Sequence, residues 1–98
     1  MNMQAIMQQA QKMQKDLQKK KEELNKKEFS GTSELVDVVF NGDKKLKSVK
    51  IKIEGSLDQD DKEALEDMMV IAVNDAMAKI DKETESMLGA YSSLGGLF

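Results

Sequence analysis

The sequence predicts an α+β fold of the order α-β-β-β-α, with a three-stranded antiparallel sheet and two long helices. Three observations carry that prediction. Two long runs without proline, at the two ends of the chain, repeat their apolar residues at spacings of three and four. Between them lie short segments in which apolar and polar residues alternate, the pattern of a half-buried strand. An Asn-Gly pair and a Gly-Ser pair punctuate that middle region where turns are needed.

The first helix is expected from Asn2 to about Lys27, a stretch dominated by the good helix formers Met, Gln, Lys and Leu. Met3, Ala10, Leu17 and Leu24 recur at sevens. Ile6 and Met13 take the position three later, and Lys20 breaks that second column. The result is a coiled-coil type seam that some other part of the chain, or a second copy, must cover.

Phe29 to Ser33 reads as a short strand with a turn or bulge between Gly31 and Glu34. Leu35 to Phe40 is the second strand, with Val36, Val38 and Phe40 on one face. Asn41-Gly42 signals a hairpin, and Asp43 and Lys44 lengthen its loop beyond two residues. Leu46 to Ile53 is the third strand. Its apolar face, Val49, Ile51 and Ile53, can align with Val36, Val38 and Phe40, while Lys50 and Lys52 lie on the other side.

The second helix is expected from about Asp58 to Leu88. Ser56 or Asp58 caps it, and Asp60, Asp61 and Glu63 sit where the helix dipole favours negative charge. Helix capping explains this acidic run better than a calcium loop, because the glycine and closing glutamate of such a loop are missing. Leu65, Met68, Met69, Ala72, Val73, Ala76, Met77 and Ile80 form an apolar stripe, which Val70 and Ile71 widen to a second side. Asn74 is the polar residue inside that region, suited to capping a hairpin or bonding across a dimer axis. Gly89 reads as the helix stop. Residues 1–88 therefore form one domain, and 89–98 a flexible tail.

With 98 residues, 40% of them apolar and only 4% aromatic, the chain builds one small, Met-rich core. Association with a second copy would bury more surface than one chain can alone. The absence of Cys removes disulfides and zinc thiolates and fits a cytoplasmic protein. No run has the length of a membrane span. The chain has no His, Cys or Trp, and its acids do not converge, so no catalytic constellation is expected. No cofactor, metal or small-molecule substrate is implied.

Charge is distributed unevenly. Residues 1–27 carry seven lysines against three acids, and residues 54–98 carry three lysines against eleven acids, within a net charge of −3. Local field, more than the total, decides whether a polyanion binds. The plain alternative is a pair of solvated helix faces of opposite sign packed on each other.

The order of parts resembles the YbaB/EbfC family of nucleoid-associated proteins. The likeness runs through Met3-Gln4-Ala5-Ile6-Met7-Gln8-Gln9-Ala10-Gln11-Lys12-Met13-Gln14-Lys15 and continues at Phe29-Ser30-Gly31. It then takes in Leu35 to Gly42, Leu46 to Ile51, and the block from Leu65 to Ala76. The resemblance implies an intertwined homodimer that binds duplex DNA with limited sequence preference through projecting helical arms. It places DNA contacts at Lys12, Lys15, Lys19, Lys20 and Lys21 of the first helix and Lys79 and Lys82 of the last. Core and dimer contacts are expected from Val36, Val38, Phe40, Val49, Ile51, Leu65, Met69 and Val73. The chain departs from the pattern in the acidity of its last helix and in a shorter first hairpin loop. Without arginine for bidentate guanine contacts, or aromatics for stacking on single strands, phosphate contacts on a duplex are favoured. The partners expected are duplex DNA and a second copy, with no membrane, in the cytoplasm at the nucleoid. The rival reading is a coiled-coil interaction or chaperone-like module on the plan of a prefoldin subunit.

Overall fold

The structure, a computed structural model, describes residues 2–92. Its elements are α1 (Met3–Lys26), β1 (Glu28–Thr32), β2 (Val36–Asn41), β3 (Leu46–Ile51) and α2 (Gln59–Ser92). The sheet is antiparallel in the order β1-β2-β3. The predicted fold class is the observed one.

Asn2 starts α1 by accepting a hydrogen bond from the Gln4 N–H at 3.1 Å. The helix ends because Lys27 turns extended and leads straight into β1, its N–H closing onto Glu23 O and Leu24 O at 3.1 Å each. Asp58 opens α2 through a reciprocal box. Its carboxylate accepts from Asp61 N–H at 2.8 Å, and its own N–H donates to the Asp61 carboxylate at 3.1 Å. Among the described residues no acidic cluster is arranged to hold a metal.

The centre of the molecule is the crossing of α2 over β1 and β2. Ala72 and Ala76 are fully buried there with Val36 and Val38, and Ile80, Phe40, Phe29 and Leu24 complete the core. Leu65, Met69 and Val73 are partly buried and pack against it. Small residues on α2 let the helix backbone come close to the sheet. That approach is why position 31 is glycine: an added Cβ would lie 1.9 Å from Ala72 O and 2.8 Å from Ala76 Cβ. Gly31 itself pairs in register with Val38, and of the turn or bulge expected between Gly31 and Glu34 the structure has the turn, where Ser33 N–H bonds Val36 O at 2.9 Å. The sheet's irregularity lies instead in the β2–β3 hairpin, where Val39 pairs with Ser48 but Phe40 with Leu46.

The hairpin loop is longer than two residues, as expected. Lys44 donates its N–H to Asn41 O, Asn41 donates to Lys45 O, both at 2.9 Å, and Lys44 takes a left-handed φ of 66°. Gly42 serves a different purpose from the turn geometry its Asn-Gly context suggests. A Cβ on it would sit 1.8 Å from Leu24 O, so its lack of a side chain admits the end of α1.

Two expectations on extent need correction. β3 stops at Ile51 rather than Ile53, where Lys52 N–H bonds Leu35 O at 2.8 Å. Gly89 does not stop α2, which continues to Ser92. A single helical glycine costs only about 1 kcal/mol, too little to end a long helix. The remaining tail, 93–98, lies outside the described residues.

Val49 and Ile51 share a face with Val38 and Val36, as the alternation predicts, with Val49 opposite Val38 and Ile51 opposite Val36. Within one chain, however, they are not core: they are 41% and 52% exposed. The reason is reach. α2 packs on β1 and β2 but not on β3, so the apolar side of this edge strand has no cover. Val70 and Ile71, on the second side of α2, are equally open at 59% and 51%.

Candidate nucleic-acid interface

The molecule measures 72 × 18 × 13 Å, far longer than its sheet, because α1 runs out from the core as an arm. Only its last turns are held. Leu24 is buried, Lys27 pairs with Glu83 of α2, and a groove between the helices is lined by Lys20, Glu23, Leu24, Lys27, Glu83, Ser86 and Met87. These contacts make α1 and α2 antiparallel neighbours at the arm's base, as the opposite charges predict. Nearer the tip the seam is bare: Met3 is 73%, Ile6 47% and Met7 58% exposed.

Four of the predicted lysines, Lys12, Lys15, Lys19 and Lys21, stand exposed on this arm, and no ion pair among the described residues engages them. Lys12, Lys15 and Lys19, spaced three and four apart, set ammonium groups along two turns of helix, while Lys21 lines a groove that also holds Asp81 of α2. That arrangement holds positive potential outward despite the acidic whole. Lys20, in the seam column, is drawn into a pair with Glu23 at 3.7 Å, with both side chains more than half exposed. At that exposure the pair is weak and leaves Lys20 available.

The two lysines of α2 are separate from this group. Lys79 donates to Ser30 O at 2.7 Å and pairs with Asp75 at 3.3 Å, so its charge is committed to the free edge of β1. Lys82 lines an open groove of about 600 Å³ with Lys27, Phe29, Ser30, Lys79, Glu83 and Ser86, and makes no ion pair among the described residues. Lys27 also lies 5.6 Å from the Phe29 ring centroid, a cation–π contact at the junction of arm and sheet.

Sequence reasoning missed Asp75. Its carboxylate accepts the Thr32 N–H at 2.9 Å and with Lys79 closes the outer edge of β1. This bond, together with the Lys79 ammonium, holds its pKa below the ordinary aspartate value. Asp37 is held low in the same way, by the Thr32 hydroxyl at 2.7 Å and by Lys52 at 3.1 Å. The available signal was the Asp75–Lys79 spacing of four on the border of the Ala72–Ala76 stripe. With β1 sealed by side chains, the open edge of the sheet is β3.

The described residues form an α-β-β-β-α domain whose first helix carries exposed lysines. The chain belongs to the YbaB/EbfC DNA-binding family, whose model matches residues 1–96. It is 50% identical over 93 residues to a nucleoid-associated protein of Enterococcus faecalis, covering 93% of this chain and 88% of that one. Nucleoid-associated proteins of Ligilactobacillus salivarius and Lactococcus lactis are 47% and 48% identical, each over 94 residues and 94% of this chain. The alignments cover 89% and 94% of those two proteins. No helix among the described residues is long and apolar enough to cross a membrane.

Proposed function

We propose that two copies of this chain form an intertwined homodimer that binds duplex DNA at the nucleoid, in the cytoplasm, through the phosphate backbone. The observation that carries the reading is the projection of α1 with Lys12, Lys15, Lys19 and Lys21 exposed and, among the described residues, in no ion pair. Ammonium groups act as point charges on phosphates and displace counterions, with little demand on sequence. The dimer is supported by the uncovered apolar residues Val49, Ile51, Val70 and Ile71, which face water only for want of a partner surface. Asn74 is exposed one turn after Val70 and Ile71, in place to bond across such an interface. The protein has no catalytic task in this reading.

Salt titration of binding to a random duplex, run beside a mass measurement, tests both halves. A dimer that neutralises about six phosphates gives a slope of log affinity against log salt near −5. A flat response removes the backbone mechanism. Ile51→Ser with Ile71→Ser should shift the mass toward the monomer, and an unchanged mass would place the dimer surface elsewhere. The bare seam at Met3, Ile6 and Met7 favours one rival, a module that holds apolar segments of other chains. Suppression of client aggregation without DNA binding would establish that rival instead.

A further inference from the structure

The outward side of α1 is two-toned. Counting in sevens, Lys12, Lys19 and Lys26 form one column, and Gln4, Gln11, Gln18 and Asn25 form another. Between them runs Gln8, Lys15, Glu22, and beyond the carboxamide column lie Gln14 and Lys21. All these residues are exposed; Gln14 and Lys21 flank the seam that enters the core at Leu24, and the other columns turn away from it. Among the described residues the side chains of Gln4, Gln11, Gln14 and Gln18 make no hydrogen bond, although each carries two donors and an acceptor. Gln14 and Gln18 join Leu17 and Lys21 around a shallow depression on the arm. Solubility alone would be met by Glu–Lys pairs, which abound in helices. Here residues 3–21 hold one acid, Asp16, among six glutamines.

Resting on the reading that α1 is the DNA-contacting arm, we propose that its glutamine column reads adenine edges in the major groove while the lysine column holds the phosphates beside it. The dimensions agree. An α-helix with its side chains is about 10–12 Å across, and the major groove is about 12 Å wide. Seven helical residues advance about 10.5 Å, close to three base-pair steps of about 3.4 Å, so Gln11 and Gln18 address bases three pairs apart. A carboxamide presents a donor and an acceptor side by side. That pair complements adenine, whose major-groove edge offers the N6 amino group and N7. Lysine stripes supply affinity without sequence, and the glutamine stripe adds a preference for A·T pairs.

The test uses the full chain and three 30-base-pair duplexes: alternating A·T, alternating G·C, and the A·T duplex with 7-deazaadenine in place of adenine. The wild-type protein should prefer A·T over G·C by about tenfold or more, and 7-deazaadenine, which lacks the N7 acceptor, should remove most of that ratio. Q11A/Q14A/Q18A should lose the ratio and keep the salt slope, whereas K12A/K15A/K19A should flatten the slope and keep the ratio. A wild-type protein with a steep slope but no A·T preference overturns the glutamine readout and leaves backbone binding standing. A preference that survives 7-deazaadenine or the glutamine substitutions also overturns it, since groove shape would then be its source. Absence of salt-dependent binding to all three duplexes removes the arm reading itself.

Discussion

Leu24 and Met3 stand in one column of the same helix, three heptads apart, and they are 8% and 73% exposed. Nothing in the local pattern separates them. The difference is tertiary: α2 runs back along the last turns of α1 and leaves the tip beyond its contact. A heptad seam therefore states that cover is needed, not where the cover ends. In this molecule the end of the cover divides α1 into an anchor and an arm, and the arm carries the exposed lysines.

The largest expected effect strikes the arm alone. K12E/K15E/K19E reverses three charges per chain, six in the proposed dimer, and should weaken duplex binding at least about 100-fold at moderate salt. Mass and helical circular dichroism should be unchanged, because these side chains touch no other element. A loss of the dimer in this variant would show that the arm is part of the assembly rather than a free prong.

The same column then separates by stability. Leu24→Ala removes a buried side chain at the anchor and should cost about 2–4 kcal/mol in urea unfolding. Met3→Ala should stay within about 0.5 kcal/mol. Equal costs would mean that the tip is covered in solution, by a second copy or another segment. The glycines extend this contrast to α2. Gly31→Ala forces a methyl group into Ala72 O and should destabilise by about 2 kcal/mol or more. Gly89→Ala meets open space in a helix and should stabilise by up to about 1 kcal/mol.

Much of this architecture was legible in the residues. Heptad and stripe spacing located both helices, and alternation located β2 and β3 and the apolar face that Val49 and Ile51 share with Val36 and Val38. What escaped depended on contacts between distant segments. Gly31 resembles a bulge until α2 is seen to cross it, and Gly42 resembles a turn glycine until Leu24 is seen against it. Val49 and Ile51 read as core because sequence shows an apolar face, not the reach of the helix that would cover it. In the candidate interface, lysine spacing on α1 was readable, and the exposure of Lys12, Lys15 and Lys19 agrees with it. Lys79 could not be distinguished from them, since its commitment to Ser30 O spans 49 positions of chain.

The smallest expected effect concerns the clamp that Lys79 shares. Asp75 and Asp37 both converge on Thr32, one on its N–H and the other on its hydroxyl. Each carboxylate has its folded-state pKa depressed below the ordinary 3.8. The unfolded chain therefore binds protons more readily in that range than the native one. The clamp's stabilisation is present above about pH 4 and is lost as pH falls through the ordinary value toward the depressed one. Asp75→Asn keeps an oxygen for the Thr32 N–H but cannot ionise, so it lacks the charge that holds Lys79. The variant should be slightly less stable than the wild type at pH 6, and urea unfolding should show that gap closing by pH 3. Both carboxylates face solvent, which keeps the difference small. A gap that persists unchanged at pH 3 would mean that the clamp works by the geometry of its hydrogen bonds rather than by charge. The edge of β1 would then be sealed at any pH, and the contrast between a fixed sheet edge and a free arm would be sharper still.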